Sequence, residues 1–493
     1  MEMTRRGFLG TSAASMLAAA ETRPNVLLIL ADQFRYDCLG ANGNRMIRTP
    51  NLDRLAAGSA NFERAFVQAP VCVPSRVSLL TGRYPHSHKN RVNYTPCDSR
   101  EVFLQRMLHD AGYQTGSVGK LHYYPPTAEH ARSTGFDRVQ IDDGVGTTDP
   151  YSDYVKWRNA HDPNARTPYL ATAPAGKNPF RGAIPYEFTP VHWTGEESCR
   201  MLREFAATPR PFFLHCSFFK PHAPYTVPEP YDSMFDDVEI PLPKEVTLED
   251  IRKLPEPVQM QILRFTPQYG MDRKRLEWIY RSYYASIAMV DHEIGRILDE
   301  LERSGRAQNT MVIFGTDHGD QLLEHGLVDK NVFFEASVHV PLLVRLPGKI
   351  APGKRRELTE TIDVMPSVLQ ACGVPVPPRV QGRTFGPREM VFCENIIPEI
   401  ITGGKRDFYF VPGQGVKGIR HPDAKMVRTD RWKLTYYPGH GGELYDLNED
   451  PGEERNLYED GAHKSKVQEL QGAILDWMIT ADENDQIAPK WLL

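Results

Sequence analysis

Four short, unbroken apolar runs constrain this chain more than any other feature. They are Asn25–Ala31 (NVLLILA), Pro211–Phe219 (PFFLHCSFF), Thr310–Gly315 (TMVIFG) and Val340–Leu346 (VPLLVRL). A strand with one wet face alternates apolar and polar residues, so continuous runs of this length predict strands covered on both faces. Helical periods lie between them. Ser99–Gly112 opens on a cap residue and closes on glycine. In Leu276–Gly305, Tyr280, Tyr283, Tyr284, Ile287, Val290, Ile294, Ile297, Leu298 and Leu301 keep the 3–4 spacing of one helix face. Buried strands alternating with helices predict an α/β fold, a large, mostly parallel sheet sandwiched by helices.

The chain has 493 residues, more than one hydrophobic core usually serves, so a second, smaller domain is expected. The Pro/Gly-rich stretch Gly373–Pro387 marks the boundary, giving a catalytic domain over 23–385 and a small C-terminal α+β domain over 386–493. In the latter, Met426–Tyr437 alternates like an exposed antiparallel strand, Glu443–Leu457 turns back, and Lys464–Met478 reads as a final helix. Residues 123–195, rich in Pro, Gly, Asp and aromatics, read as loops over the sheet edge. With 41% hydrophobic and 25% charged residues the chain is not disordered, and a net charge of −5 offers no basic field to nucleic acid. Seven cysteines are too few for a disulfide scaffold, and Cys216 and Cys372 suit small buried hydrophobes.

Residues 1–22 read as an address. Arg5-Arg6 precedes a mildly apolar stretch ending in Ala18-Ala19-Ala20, too short to span a bilayer. Thr4–Leu9 (TRRGFL) resembles a twin-arginine export leader, which predicts a periplasmic or extracellular protein with no membrane span.

Ligands of open parallel sheets bind beyond the carboxyl ends of the strands. Four predicted strands release reactive side chains at that end. Asp32-Gln33 follow NVLLILA; Lys120-Leu121-His122 follow Thr115–Gly119 (TGSVG). Lys220-Pro221-His222 close PFFLHCSFF, and Thr316-Asp317-His318-Gly319-Asp320 follow TMVIFG. Singly, each has a plainer reading: Asp32 as a helix cap, His122 or His222 as a packed surface histidine. The fifth element is Val71–Arg83 (VCVPSRVSLLTGR), where Pro74 and Gly82 frame a short helix. Cys72 then sits at a helix N-terminus, which favours anions. An acidic thiol or a structural cysteine is the plainer alternative. Arg76, four residues on, does not make a Cys-x5-Arg phosphate loop.

Cys-x-Pro-Ser-Arg followed by Thr-Gly-Arg resembles the signature of the sulfatases, members of the alkaline phosphatase superfamily. The similarity runs through Arg23–Asp32, Thr49–Leu55, Gly119–His122, Lys220–His222, Asp317–Lys330, and the C-terminal Arg428–Tyr437 and Glu443–Leu457. It implies an alkaline phosphatase-like fold and hydrolysis of a sulfate ester through a formylglycine–sulfate intermediate. The formylglycine would be made from Cys72 by a maturation enzyme. The resemblance also implies one divalent cation on Asp32, Asp317, His318 and the modified Cys72, with Ca²⁺ first and Mg²⁺ or Mn²⁺ as alternatives.

By the same resemblance, Arg76 and Lys120 hold the formylglycine hydrate and a sulfate oxygen. His122 takes the proton of the hydroxyl that collapses, and His222, helped by Lys330, protonates the leaving alcohol. Lys330 alone also suits a solvated surface. Lys220, Asn93 and Gln33 are expected on the substrate side, while His325 and Asp320 are expected to play supporting roles. Gln33 and His318 depart from the commoner Asp and Asn and look like the choline-sulfatase and phosphonate monoester hydrolase branch. A phosphonate monoester or phosphodiester hydrolase on the same site is therefore the enzymatic alternative. A non-catalytic binder of sulfated glycans is the other, if Cys72 stays unmodified. Tyr151, Tyr154, Trp157, Tyr169 and Trp193 suit either stacking on sugar rings or loop packing.

Overall fold

Both faces of the central sheet are dry, and the first strand shows why its sequence does not alternate. In Asn25–Asp32, Val26, Leu28 and Leu30 enter one core while Leu27, Ile29 and Ala31 enter the other. The computed structural model describes residues 23–481, apart from 94, 145–148, 163–177, 183, 266–271, 397–408, 412–414 and 418–422. The expected leader over 1–22 and Tyr169 lie outside the described residues. Helices Cys72–Thr81, Leu104–Asp110 and Val364–Ala371 cover the first face; Pro50–Ala57, Pro190–Ala206 and Arg273–Arg303 cover the second.

The sheet has eight strands in the order Gly353–Arg355, Ala60–Phe62, Leu343–Arg345, Thr310–Gly315, Asn25–Asp32, Phe212–Pro221, Gln114–Gly119, Arg138–Ile141. The last five run parallel, so their carboxyl ends share one edge. Leu343–Arg345 is antiparallel to both neighbours. A separate antiparallel sheet, Val391–Ile396, Asp423–Arg428, Trp432–Tyr437 and Gly441–Asp446, forms the small domain. Val467, Leu470 and Ile474 of helix Lys464–Ala481 pack on its Val427, Leu434 and Leu444. No helix among the described residues is long and apolar enough to cross a membrane.

Four local expectations change. Helix Ser99–Gly112 shrinks to Leu104–Asp110, because Asp98 accepts from the Arg100 amide at 2.9 Å and Ser99 enters a turn. Val340–Leu346 splits at Pro341, which cannot donate to a ladder. His339–Val340 joins a separate three-stranded sheet, and Leu343–Arg345 joins the large one. Met426–Tyr437 spans parts of two mostly buried strands rather than one exposed one. The supposed loops of 123–195 contain helices Ala128–Ser133 and Asp153–His161, the start of Pro190–Ala206, and edge strand Arg138–Ile141. Their signals are short and local: Thr127, Ser152 and Thr189 each accept a helix N–H at the N-cap. Tyr154, Trp157 and Trp193 pack on one another, with ring centroids 5.8 and 6.3 Å apart, which is loop packing.

Candidate active site

Cys72 is the first residue of its helix, and Gly82 closes that helix at φ 67° in the left-handed region. Val71 gives no side-chain cap; instead Asn93 Oδ1 accepts from the Val73 amide at 3.0 Å. The helix start thereby faces the strand ends. Asp32, Cys72, Asp317 and His318 come together there, all buried, with one ligand atom from each within 4.8 Å of the others.

Arg76, one turn along the same helix, ties the cluster. Its Nε donates to Asp317 Oδ2 at 2.7 Å and its Nη2 to Asp32 Oδ2 at 3.1 Å. Nη1 donates to the Lys120 carbonyl and to Ser217 Oγ, both at 2.9 Å. Lys120 Nζ lies 2.5 Å from Asp32 Oδ2 and 4.0 Å from Cys72 Sγ. Burial opposes ionisation of Asp32, and so does the neighbouring Cys72. Lys120, His222 and Arg76 outweigh both and hold its carboxyl well below the usual range. Burial likewise raises the Cys72 thiol, but Lys120, Lys330 and His318 bring it well below its ordinary value. Buried ion pairs of this kind seldom repay their desolvation as stability, which points to function.

The donor set fits a divalent cation. Asp32 Oδ1 is buried with no hydrogen-bond partner among the described residues. His318 Nδ1 lies 2.9 Å from the Gly319 carbonyl, so in the neutral ring Nδ1–H donates and Nε2 carries the lone pair. That Nε2 is 3.1 Å from Cys72 Sγ and 3.8 Å from both Asp32 Oδ1 and Asp317 Oδ1. Burial would lower the His318 pKa, yet Asp317 and Cys72 lift it to about 9.

Beside the cluster, Lys330 Nζ is 2.7 Å from His222 Nε2 and 2.8 Å from Gln33 Oε1. Gln33 Nε2 donates to Asp320 Oδ2 at 2.6 Å, which also accepts from Tyr225 at 2.8 Å. His122 is held at φ 58°, and its side chain contributes a hydrogen bond that lowers the Cys72 thiol. Two residues expected on the substrate side make hydrogen bonds within the fold. Both ends of the Gln33 amide are spent on Lys330 and Asp320, so it links the acid pair to the fold. Lys220 Nζ donates to the Pro224 carbonyl. Burial lowers its pKa to about 7. His325 stacks on Phe334 with centroids 3.8 Å apart and reaches the Gly452 carbonyl at 3.0 Å, outside the cluster. Sequence reading missed Ser217, Tyr225 and Asp143. Asp143 has a signal, the carboxylates that follow strand Arg138–Ile141 in RVQIDDG, but a strand of four residues resembles loop.

A parallel sheet covered on both faces, with a buried carboxylate–imidazole–sulfur cluster at its carboxyl edge, is the alkaline phosphatase-like architecture. The sulfatase family model matches residues 24–374, and that of the N-sulphoglucosamine sulphohydrolase C-terminal region matches 323–479. The chain belongs to the sulfatase family. An arylsulfatase of Clostridium perfringens is 30% identical over 92% of this chain and 94% of its own length. An iduronate 2-sulfatase of Homo sapiens is 26% identical, over 88% of this chain and 91% of its own. The crystal structure of a phosphonate monoester hydrolase of Agrobacterium radiobacter superposes with a TM-score of 0.79 at 26% identity, covering 93% of this chain and 96% of that one. Hydrolysis of a sulfate ester is accordingly the reaction of this enzyme.

Proposed function

We propose that this enzyme works with formylglycine at position 72 and one divalent cation held by Asp32, Asp317, His318 and the modified residue, Ca²⁺ first. The observation that carries the reading is Cys72 at a helix start, within 4.8 Å of two carboxylates and an imidazole. The cation supplies Lewis acidity, and the aldehyde hydrate supplies a hydroxyl nucleophile with a second hydroxyl beside it. Arg76 and Lys120 set fixed positive charge where charge develops on the sulfuryl oxygens. His122 accepts the proton whose loss returns the aldehyde. The His222–Lys330 pair gives a proton to the leaving alcohol. Asn93 stands at the helix start beside the sulfate, whereas Lys220 and Gln33 support the loop and the acid pair.

A sulfated carbohydrate is the substrate class we favour, supported by the likeness to an iduronate 2-sulfatase. The leader-like residues 1–22 support export after folding, with a formylglycine-generating enzyme acting first. A panel of sulfated mono- and oligosaccharides beside aryl and alkyl sulfates tests the reading. Turnover of a sugar sulfate well above the simple esters is expected; turnover confined to the simple esters would remove the carbohydrate assignment.

A further inference from the structure

We infer that Asp143 is the positioning residue for His122, an inference that rests on the reading of His122 as the base. Asp143 is 1% exposed, and among the described residues it has no cationic partner. Its Oδ1 accepts the backbone N–H groups of Leu121 and His122, both at 2.9 Å. The register explains the placement. Gly119 pairs with Ile141 in adjacent parallel strands, and the Asp142 amide donates to the Gly119 carbonyl at 3.1 Å. The two chains leave the sheet side by side, so the carboxylate of one meets the amides of the other.

Those amides sit at a costly bend. His122 has φ 58°, a left-handed conformation that non-glycine residues adopt only when their surroundings enforce it. The paired N–H bonds to one fixed carboxylate oxygen supply that enforcement, and with it the aim of the imidazole at residue 72. The other oxygen, Oδ2, is buried with no hydrogen-bond partner among the described residues. An amide NH₂ in its place would displace no bond.

The step served is the release of sulfate. His122 takes the proton from the remaining hydroxyl on residue 72. The O–H electron pair becomes the second bond of the aldehyde, the carbon–oxygen bond to sulfate breaks, and sulfate departs with the electron pair of that broken bond. A misaimed base slows this step and spares the preceding attack, so sulfate stays bound to the protein.

The experiment compares wild type, Asp143→Ala, Asp143→Asn, His122→Ala and the His122→Ala/Asp143→Ala double variant at matched formylglycine content. Asp143→Val, which fills the space without an acceptor, stands in if the alanine variant does not fold. Expected are a kcat loss of roughly 100-fold for Asp143→Ala, no rise in KM, and sulfate retained covalently after acid quench. Asp143→Asn should recover most turnover, and the double variant should be no worse than His122→Ala alone. Multiplying losses, or sulfate retained by His122→Ala but not by Asp143→Ala, would overturn the inference. If His122→Ala itself retains none, His122 is not the base, and the inference falls with that reading.

Discussion

Lys330 Nζ lies 2.7 Å from His222 Nε2, and the far side of the same ring decides what that contact means. His222 Nδ1 is 2.5 Å from the Ala223 carbonyl, which can only accept, so Nδ1–H donates and Nε2 receives from the lysine. Burial lowers the Lys330 pKa, but Asp329, Cys72 and the two cluster carboxylates raise it on balance. Lys330 therefore stays charged and donates to His222 Nε2 beside the cluster.

Removing either member should show in leaving-group dependence. Lys330→Ala and His222→Ala should each lower kcat/KM for alkyl sulfates by about 10²–10³-fold, the range of general acid catalysis. For 4-nitrophenyl sulfate, whose leaving group needs no proton, the loss should be within about tenfold. Equal losses on both substrates would show that the pair is not the acid.

Metal content separates the cluster from its surroundings. Asp32→Ala and Asp317→Ala should lose bound metal and turnover together, because each removes a carboxylate ligand and one of the two carboxylates that balance the buried Arg76 guanidinium. His325→Ala should keep both metal and most activity, since its ring packs on Phe334. Elemental analysis beside turnover decides; metal retained in all three variants would refute the ligand set.

Stability should fall in acid because two histidines are buried neutral. Burial drives the pKa of His88 and of His215 down to about 3 from an ordinary 6.5. Below pH 6.5 the unfolded chain binds protons that the folded chain refuses, so this contribution is complete above 6.5 and is lost as pH falls toward 3. Each histidine adds a slope of about 1.4 kcal/mol per pH unit in that window. Urea melts of His215→Asn between about pH 4 and 6 should show a slope shallower than wild type by about that amount. An unchanged slope would mean that His215 is protonated in the folded protein.

Much of this was legible in the sequence because burial on both faces leaves a plain mark. Asn25–Asp32, Phe212–Pro221 and Thr310–Gly315 are strands nearly where their apolar runs predict, and the residues following them meet at one edge. What was hidden depends on partners far along the chain. Arg138–Ile141 is only four residues long and looks like loop until Gln114–Gly119 pairs with it. Gln33 reads as a substrate-side residue after Asp32, and nothing local in the sequence shows that its amide meets Lys330 and Asp320, nearly 300 residues away. Lys220 sits in a motif beside His222, but the bend at Pro221–Pro224 turns its ammonium to a carbonyl.

Selectivity tests the contribution of the two basic groups after Gly119. Lys120 and His122 favour a sulfuryl transition state and release of sulfate, so kcat/KM for 4-nitrophenyl sulfate should exceed that for phenyl phosphonate and bis-nitrophenyl phosphate esters. A phosphonate or diester rate tenfold above the best sulfate rate, about 1.4 kcal/mol in transition-state binding, would reverse the assignment.

Every step above depends on the chemical state of residue 72, which mass spectrometry of the peptide carrying it, from a preparation of measured sulfatase activity, reads out. The expected peptide is about 18 Da lighter than the cysteine form, the change from –CH₂SH to –CHO, in proportion to specific activity. Full activity in a preparation that carries only the unmodified thiol would contradict it.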